Sequence, residues 1–493
     1  MNSMLVTKKR NEMKKMINRI LSVLLLIVII TGCDKLSDFG DTNLNPAATN
    51  DPITSALLTN VLAGLDGYTT STRDGAYCQF FTETQYTDLE LYSLPQISST
   101  GAYSGDLYDL ENIVINNTDD ATKETAALNG ANENQIAVAR ILQSYIFWKH
   151  TDRWGDLPYS DALTGDPEVT FDTQQVIYEG MLSTLADAVD MIVAGGGALK
   201  GDILFNGDMT KWKKFANSMR ALMALRLSNR YPNAGQFAAT EFAAALAASG
   251  GVIDNNADNA IIDLPGGNFR NNFYAAYDGR KDWAETEEMV TLLTGLNDTR
   301  VNVFGSSLVG FTYGLPRNLA EAFSSAHPDW AFIMAPDYRE ETDGHFIITA
   351  GHVYLARAEA ADRGWTAENV VTMYEAGITA AHTQWGIAAP TVGYLGAVAL
   401  ANPAGTNANL FEIATQQYIA YYPDGANGWA NWRRTGVPTL IPTPYALNAS
   451  GEIPRRYTYG TSELATSPDA VAAAIARLPG GVDSQDAHVW WDF

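Results

Sequence analysis

The sequence predicts a mainly α-helical protein with long irregular loops and little β structure. Two observations carry that expectation. Apolar residues recur at spacings of three and four through most of the chain, and the amphipathic segments come in pairs set apart by stretches rich in Gly, Asn and Tyr. A third concerns size: 493 residues with 46% apolar content are ample for a large buried core.

Taken in order, the N-terminus reads in three parts. Residues 1–19 carry Lys8, Lys9, Arg10, Lys14, Lys15 and Arg19 against the single acid Glu12. Ile20 to Ile30 is apolar apart from Ser22, too short for the roughly 20 residues of a membrane span but suited to the core of a secretory signal. Ile30-Thr31-Gly32-Cys33 then leads straight into polar sequence. An apolar residue, a small residue, Gly and Cys resembles the lipobox of bacterial lipoproteins. That resemblance implies removal of residues 1–32 and attachment of lipid at Cys33. Acylation of Cys33 leaves Cys78 as the only thiol, so the mature chain forms no internal disulfide and relies on packing. No second apolar run of spanning length follows, so membrane attachment is by the lipid anchor only.

Charge narrows the ligand. Residues 1–32 hold six of the 32 basic and one of the 56 acidic residues, leaving 26 against 55 and a net charge near −29. Such a surface disfavours nucleic acid, anionic lipid and polyanions, and suits a neutral or cationic ligand. Solubility is the simpler role of the same charge.

The stretch "DFGDTNLNPAATNDP" (38–52) reads as an extended leader, and residues 33–55 as a lipidated leader ahead of one domain over 56–493. Asp41, Asn43 and Asn45 match the first positions of a calcium loop, but Pro46 stands where Gly is required and no Glu follows at the twelfth place; no metal site is expected. Downstream, Val138, Ile141, Leu142, Tyr145 and Ile146 form a helical stripe. Asp172 is a candidate N-cap for Ile177, Met181, Leu185, Ala188 and Ile192. Trp212, Phe215, Met219 and Leu222 mark a further helix, and "FAATEFAAALAASG" ends at Gly250. Ala350, Tyr354, Ala358 and Ala361 share one face of a helix that stops at Gly364, after which Thr366 is the expected cap for Met373, Gly377, Ile378 and Ala381.

Two amphipathic helices of this length with small residues at their contact resemble a tetratricopeptide unit. Segments near 136–192, 211–249 and 410–434 are candidate further copies. Between them, 68–130, 254–345 and 386–409 read as long loops, the usual place for function.

The sharpest local pattern is "YYPDGANGWANWRRTGVPTL" (421–440): Trp429 and Trp432 one helical face apart, Arg433 and Arg434 in a last turn, then Gly436 and Pro438 as a stop. It resembles a hallmark of SusD/RagB-type outer-membrane lipoproteins. "IPRRYTYGTSE" (453–463), "GGVDSQDAHVWWD" (480–492), "LARAEAADRGW" (355–365), "WGDLPYSDAL" (154–163), "WKKFANSMRALMALRLSN" (212–229), "LNDTR" (296–300) and "DFGDTNLNP" (38–46) match the same family in order. The resemblance implies a SusD-like single domain on about four tetratricopeptide-like helix pairs. It also implies a lipid anchor at the outer-membrane cell surface and a SusC-like TonB-dependent outer-membrane barrel as partner. The implied ligand is a nutrient, usually an oligosaccharide, with no catalysis and no cofactor. Two alternatives stay open: the same scaffold binding peptides or another nutrient, and a protein–protein adaptor without its own ligand site.

For a glycan receptor, aromatic faces must meet sugar C–H surfaces beside a few polar groups. The chain has 11 Trp and 23 Tyr, and those in loops are the candidates. "GNFRNNFYAAYDGRKDWAETEE" (267–288) offers Trp283, Tyr277 and Tyr274 near Asn271, Asn272, Asp278 and Arg280; "QFFTETQYTDLELYSLPQ" (79–96) offers Tyr86 and Tyr92. Packing between loop and body is the competing role for each. Trp429, Trp432, Arg433, Arg434, Arg455 and Arg456 are expected to hold the fold, the arginines meeting helix-end carbonyls or buried carboxylates. An enzyme would need converging acids or a nucleophile, and the six histidines show no HExxH spacing, nor does a GxSxG elbow occur. His352 on an apolar helix face reads as a satisfied core residue.

Overall fold

In a computed structural model the described residues are 12–16, 53–165, 169–402 and 408–493. Residues 12–16 are helical; Cys33, Asp41, Asn43 and Asn45 lie outside the described residues. Ile53–Phe493 forms one compact unit. Its first helix, α1 (Thr54–Ala63), begins two residues ahead of the expected boundary at 56 and buries Leu58, Val61 and Leu62. No helix among the described residues is long and apolar enough to cross a membrane.

After α1 come α2 (Thr72–Tyr77) and α3 (Asp106–Thr118). Four helix pairs then make the body. They are α4 (Asn132–Trp154) with α5 (Gln174–Met191), α6 (Met209–Arg226) with α7 (Phe237–Ala247), α9 (Ala350–Asp362) with α10 (Val370–Thr383), and α11 (Leu410–Tyr421) with α12 (Gly425–Thr435). A further helix, α8 (Glu287–Leu296), lies between the second and third pairs. The third pair shows why small residues are needed at the contact: a Cβ at Gly377 would stand 2.7 Å from Leu355 Cγ.

Two caps differ from expectation. Thr173, not Asp172, caps α5 by accepting from Val176 N, because Asp172 is taken up by Ser160, whose N and Oγ donate to it at 2.7 and 2.9 Å. Asn369, not Thr366, caps α10 through Thr372 N. The segments expected as loops also hold more helix. α3 hides its stripe of Leu107, Leu110, Ile113 and Val114 among acids and asparagines, and α8 and Arg317–Ala326 occupy part of 254–345. His345–Ile348, just ahead of the helix at 350, is a strand.

Among the described residues the strands form three two-stranded sheets: β1 (Phe81–Glu83) antiparallel to β4 (Trp283–Glu285), β2 (Gln96–Ile97) parallel to β6 (Thr458–Tyr459), and β3 (Ala260–Ile262) antiparallel to β5 (His345–Ile348).

The W-x-x-W-R-R segment is a junction inside this core. Trp429 is fully buried, donates Nε1 to Pro454 O at 2.9 Å and stacks on Tyr457 at 5.6 Å. Arg433 lies 3.8 Å over the Trp429 ring and donates to the carbonyls of Asp152 and Arg455, each at 2.7 Å. Arg434 grips the Glu359 carboxylate with both terminal nitrogens and also donates to Gln417 and Asn431. Trp491 donates to Asp152 Oδ1 at 2.8 Å, and Arg455 pairs with Asp492 at 2.7 Å. One helix is thereby tied to α4, to α9 and to the C-terminal segment. His352 is buried, its ring against Thr349 N and Ala420 O.

Candidate functional site

The β1–β4 pair joins the two loop segments singled out in the sequence. Glu83 stands opposite Trp283, and the ladder continues as Thr84 N donates to Asp282 O at 2.8 Å and Thr84 Oγ1 to Lys281 O at 2.6 Å. Side chains directly opposite on an antiparallel pair share a face, so the Glu83 carboxyl lies beside the Trp283 ring.

Around this pair the aromatic groups meet cations. Tyr86, 49% exposed, has the guanidiniums of Arg280 and Arg317 at 5.5 and 5.6 Å from its ring. Arg280 pairs with Asp282, and Arg317 with Glu321 at 2.9 Å. Tyr277 is half-buried; it donates to Trp283 O at 2.8 Å, accepts from Ile333 N at 2.7 Å and stacks on Phe332 at 4.7 Å. Arg339 lies 4.4 Å from the Tyr277 ring, and Lys281 5.4 Å from that of Phe332. Tyr277 is therefore a strut that fixes the Trp283 main chain, while Tyr86 is exposed and Trp283 is half-buried against the core.

The remaining candidates fall around or behind this face. Tyr274 is half-buried with Arg270 at 5.8 Å, and Arg270 pairs with Asp278 at 2.9 Å. Asn271 caps the turn by accepting from Phe273 N and Tyr274 N. Asn272 donates to Thr70 Oγ1 at 2.7 Å and Asp66 Oδ2 at 3.1 Å. Tyr92, 1% exposed with φ at 60°, packs edge-on to Tyr77 and offers a ligand no surface. Arg317, Phe332 and Arg339 lie within the 254–345 loop segment but are not among the residues named as candidates there. Their spacing carries no periodic signal that would have found them.

The electrostatics of the face are set by burial. Glu83, half-buried, is pushed up to about 7 by burial, with Asp282 and Asp88 adding to the shift and Arg73 opposing it. Glu90, fully buried, is raised by burial and by the neighbouring Glu83 carboxylate and accepts from Glu83 N, so the two acids sit against each other. Further along β4, Glu285 is fully buried with neither carboxyl oxygen partnered, and burial pushes its carboxyl well above the usual carboxylate range.

Arg73 connects this face to an open cleft of about 440 Å3, which it lines together with Tyr68, Ser98, Asp106, Trp154 and Tyr457. Tyr68 donates to Asp106 at 2.8 Å, and the His150 and Trp154 rings stack at 5.3 Å on the cleft wall. A larger groove of about 710 Å3 runs between α3, α4 and α5. Among the described residues no three His, Cys, Asp or Glu side chains gather as a metal site. Chemically, the loop face offers aromatic surface rimmed by donors and acceptors, the pattern that takes a polyol.

Comparison with known proteins completes the description. The SusD-like_2 family, described as starch-binding associating with outer membrane, matches residues 46–460. Among solved structures, a chitin-binding protein is 25% identical with a TM-score of 0.73, covering 89% of this chain and 99% of its own. A chitin-binding SusD homologue from Flavobacterium johnsoniae is 23% identical with a TM-score of 0.75, covering 89% of this chain and 98% of its own. A SusD-like protein from Bacteroides thetaiotaomicron is 22% identical with a TM-score of 0.72 over 89% of this chain and 98% of its own. No curated protein matches.

Proposed function

Because the chain belongs to the SusD-like family of outer-membrane-associated binding proteins, we propose that it is a cell-surface lipoprotein, anchored at Cys33, that binds an oligosaccharide and hands it to a TonB-dependent outer-membrane barrel of the SusC type. In this reading residues 1–32 are removed, residues 33–55 tether the helical domain, and the protein catalyses nothing. The observation that supports the ligand class is the loop face. Tyr86, half exposed, carries Arg280 5.5 Å from its ring, Arg280 pairs with Asp282, and the strand before Tyr86 pairs Glu83 with Trp283, about 200 positions away. Tyr277 supports that face by holding the Trp283 main chain, and Tyr274, Asn272 and Asp278 belong to the same loop segment. Chitin binding by two matched structures makes N-acetylglucosamine oligomers the first ligands to test, with maltooligosaccharides second.

Titration calorimetry of the full-length protein in detergent against these glycans and a peptide mixture tests the reading. Saturable glycan binding, weakened at least tenfold by Trp283→Ala and by Tyr86→Ala with no cleaved product in the cell, is the expected result; loss of a stacking ring costs about 1–3 kcal/mol. Binding of peptides alone, or of nothing, refutes the oligosaccharide assignment. A cleaved product refutes the absence of catalysis.

A further inference from the structure

The second tryptophan of the W-x-x-W-R-R segment is not buried like the first. Trp432 is half-buried and forms the wall of a separate cavity of about 240 Å3, bounded also by Ser450, Glu452, Arg455, Asp486 and His488. None of these residues belongs to the loop face or the cleft. Ser450 and Glu452 are exposed, so the cavity opens to solvent along that rim.

The polar groups are held in place and only partly used. Arg455 is clamped by Asp492 through Nε at 2.8 Å and Nη2 at 2.7 Å, and Nη2 also donates to Arg433 O at 3.0 Å. The clamp leaves Nη1 as a spare donor, with the guanidinium 5.2 Å from the Trp432 ring. His488 turns Nδ1 to Asp492 O at 2.7 Å, which leaves Nε2. Asp486 uses one oxygen on Asn448 Nδ2 at 3.0 Å, and that asparagine's Oδ1 is buried with no partner. The Glu452 carboxylate is uncommitted. Donors and acceptors are thus mixed around one aromatic wall.

From this arrangement we propose that the Trp432 cavity is a second carbohydrate site, taking a single neutral sugar ring. A hydroxyl both donates and accepts, so a polyol satisfies Glu452 and Asp486 on one side and Arg455 and His488 on the other. An anion meets two carboxylates, and a cation meets a guanidinium and an imidazole whose proton Asp492 stabilises. The indole gives the apolar face that a pyranose C–H surface needs. The volume lies below the roughly 300–1,000 Å3 of pockets for larger ligands, which limits the occupant to one ring.

Saturation-transfer NMR on the full-length protein in detergent, titrated with methyl glucoside, galactose, N-acetylglucosamine, glucosamine and glucuronate, tests the assignment. Saturable binding of a neutral sugar is expected in the wild type and in Trp283→Ala, at least tenfold tighter than for glucosamine or glucuronate. Trp432→Ala and the shape-preserving Asp486→Asn and Glu452→Gln should each weaken it at least tenfold, with thermal melts of the last two unchanged. Wild-type affinity in all three cavity variants overturns the proposal, as does silence from every neutral sugar. Loss of the signal in Trp283→Ala alone assigns the sugar to the loop face; that outcome overturns this site and leaves the proposed function standing.

Discussion

Replacing Arg434 by Met asks whether the shared tryptophan–arginine segment holds the fold or a ligand. Arg434 and Glu359 are 3% and 1% exposed and bound through two parallel contacts. Burial alone would raise the Glu359 carboxyl, but Arg434 and Arg363 overcome it and pull it down from 4.5 to about 2. A depression of that size corresponds to about 3 kcal/mol at neutral pH, and removing one member of a buried pair costs roughly 3–5 kcal/mol. Arg363 keeps Nε and Nη2 at 2.9 and 2.8 Å from the same oxygen, so a loss near 3 kcal/mol is expected for Arg434→Met. The pH dependence follows from the lowered folded pKa. The Glu359 contribution is fully present above pH 4.5 and is lost as pH falls through that value toward 2. Urea unfolding followed by circular dichroism should therefore show the deficit at pH 7 and a narrowing gap to wild type below pH 4.5. Adding Glu359→Gln should not restore stability, because Arg363 then loses the carboxylate it still shares in Arg434→Met. An unchanged urea midpoint at pH 7, together with lost glycan binding, would refute the structural role of the pair.

Three further outcomes follow from the same contacts. Trp283→Ala should weaken glycan binding at least tenfold in calorimetry while leaving the thermal melt within a few degrees, since the ring is only half-buried. Glu83 binds its proton more tightly folded than unfolded, so stability should decline as pH rises from 4.5 to about 7 and level off above it; Glu83→Gln should flatten that segment of the curve measured by urea midpoints. Gly425→Ala should destabilise by about 3 kcal/mol or more in the same assay, because its Cβ would fall 2.2 Å from Gly75 N, a backbone atom that cannot rotate away.

Much of the helical body was legible because its evidence is local. The stripes through 138–146, 177–192 and 212–222 lie in α4, α5 and α6, and Gly436 closes α12 in a left-handed conformation. Caps were less legible, since Asp172 and Thr173 are equally good by type and only the demand of Ser160 on Asp172 decides between them. α3 was hidden by polar residues that face outward between its apolar contacts. The loop face was half-legible. Composition pointed to Tyr86 and Trp283, but a three-residue strand has no periodicity to announce that residue 83 pairs with residue 283. Tyr92 shows the limit from the other side: it stands among Leu89, Leu91 and Leu94 in an aperiodic stretch, and with a positive φ it is buried in the core. The two tryptophans of 429–432 separate only in three dimensions, one under Tyr457 and the other open to a cavity.

The parallel pairing of β2 with β6 has a consequence in time. Tyr418 reaches Cys78 O, Gln96 reaches Tyr459 O, Tyr457 reaches Asp74 and Gln485 reaches Tyr92 O, across 340, 363, 383 and 393 positions. At a synthesis rate of roughly 5–20 residues per second, residues 72–97 exist for roughly 20–80 s before their partners do. During that interval Phe80 lacks the Tyr418 and Tyr422 rings it packs on, and Tyr77 lacks those of Trp429 and Tyr457. A chain interrupted before residue 418 therefore leaves these aromatic faces open to proteolysis or aggregation.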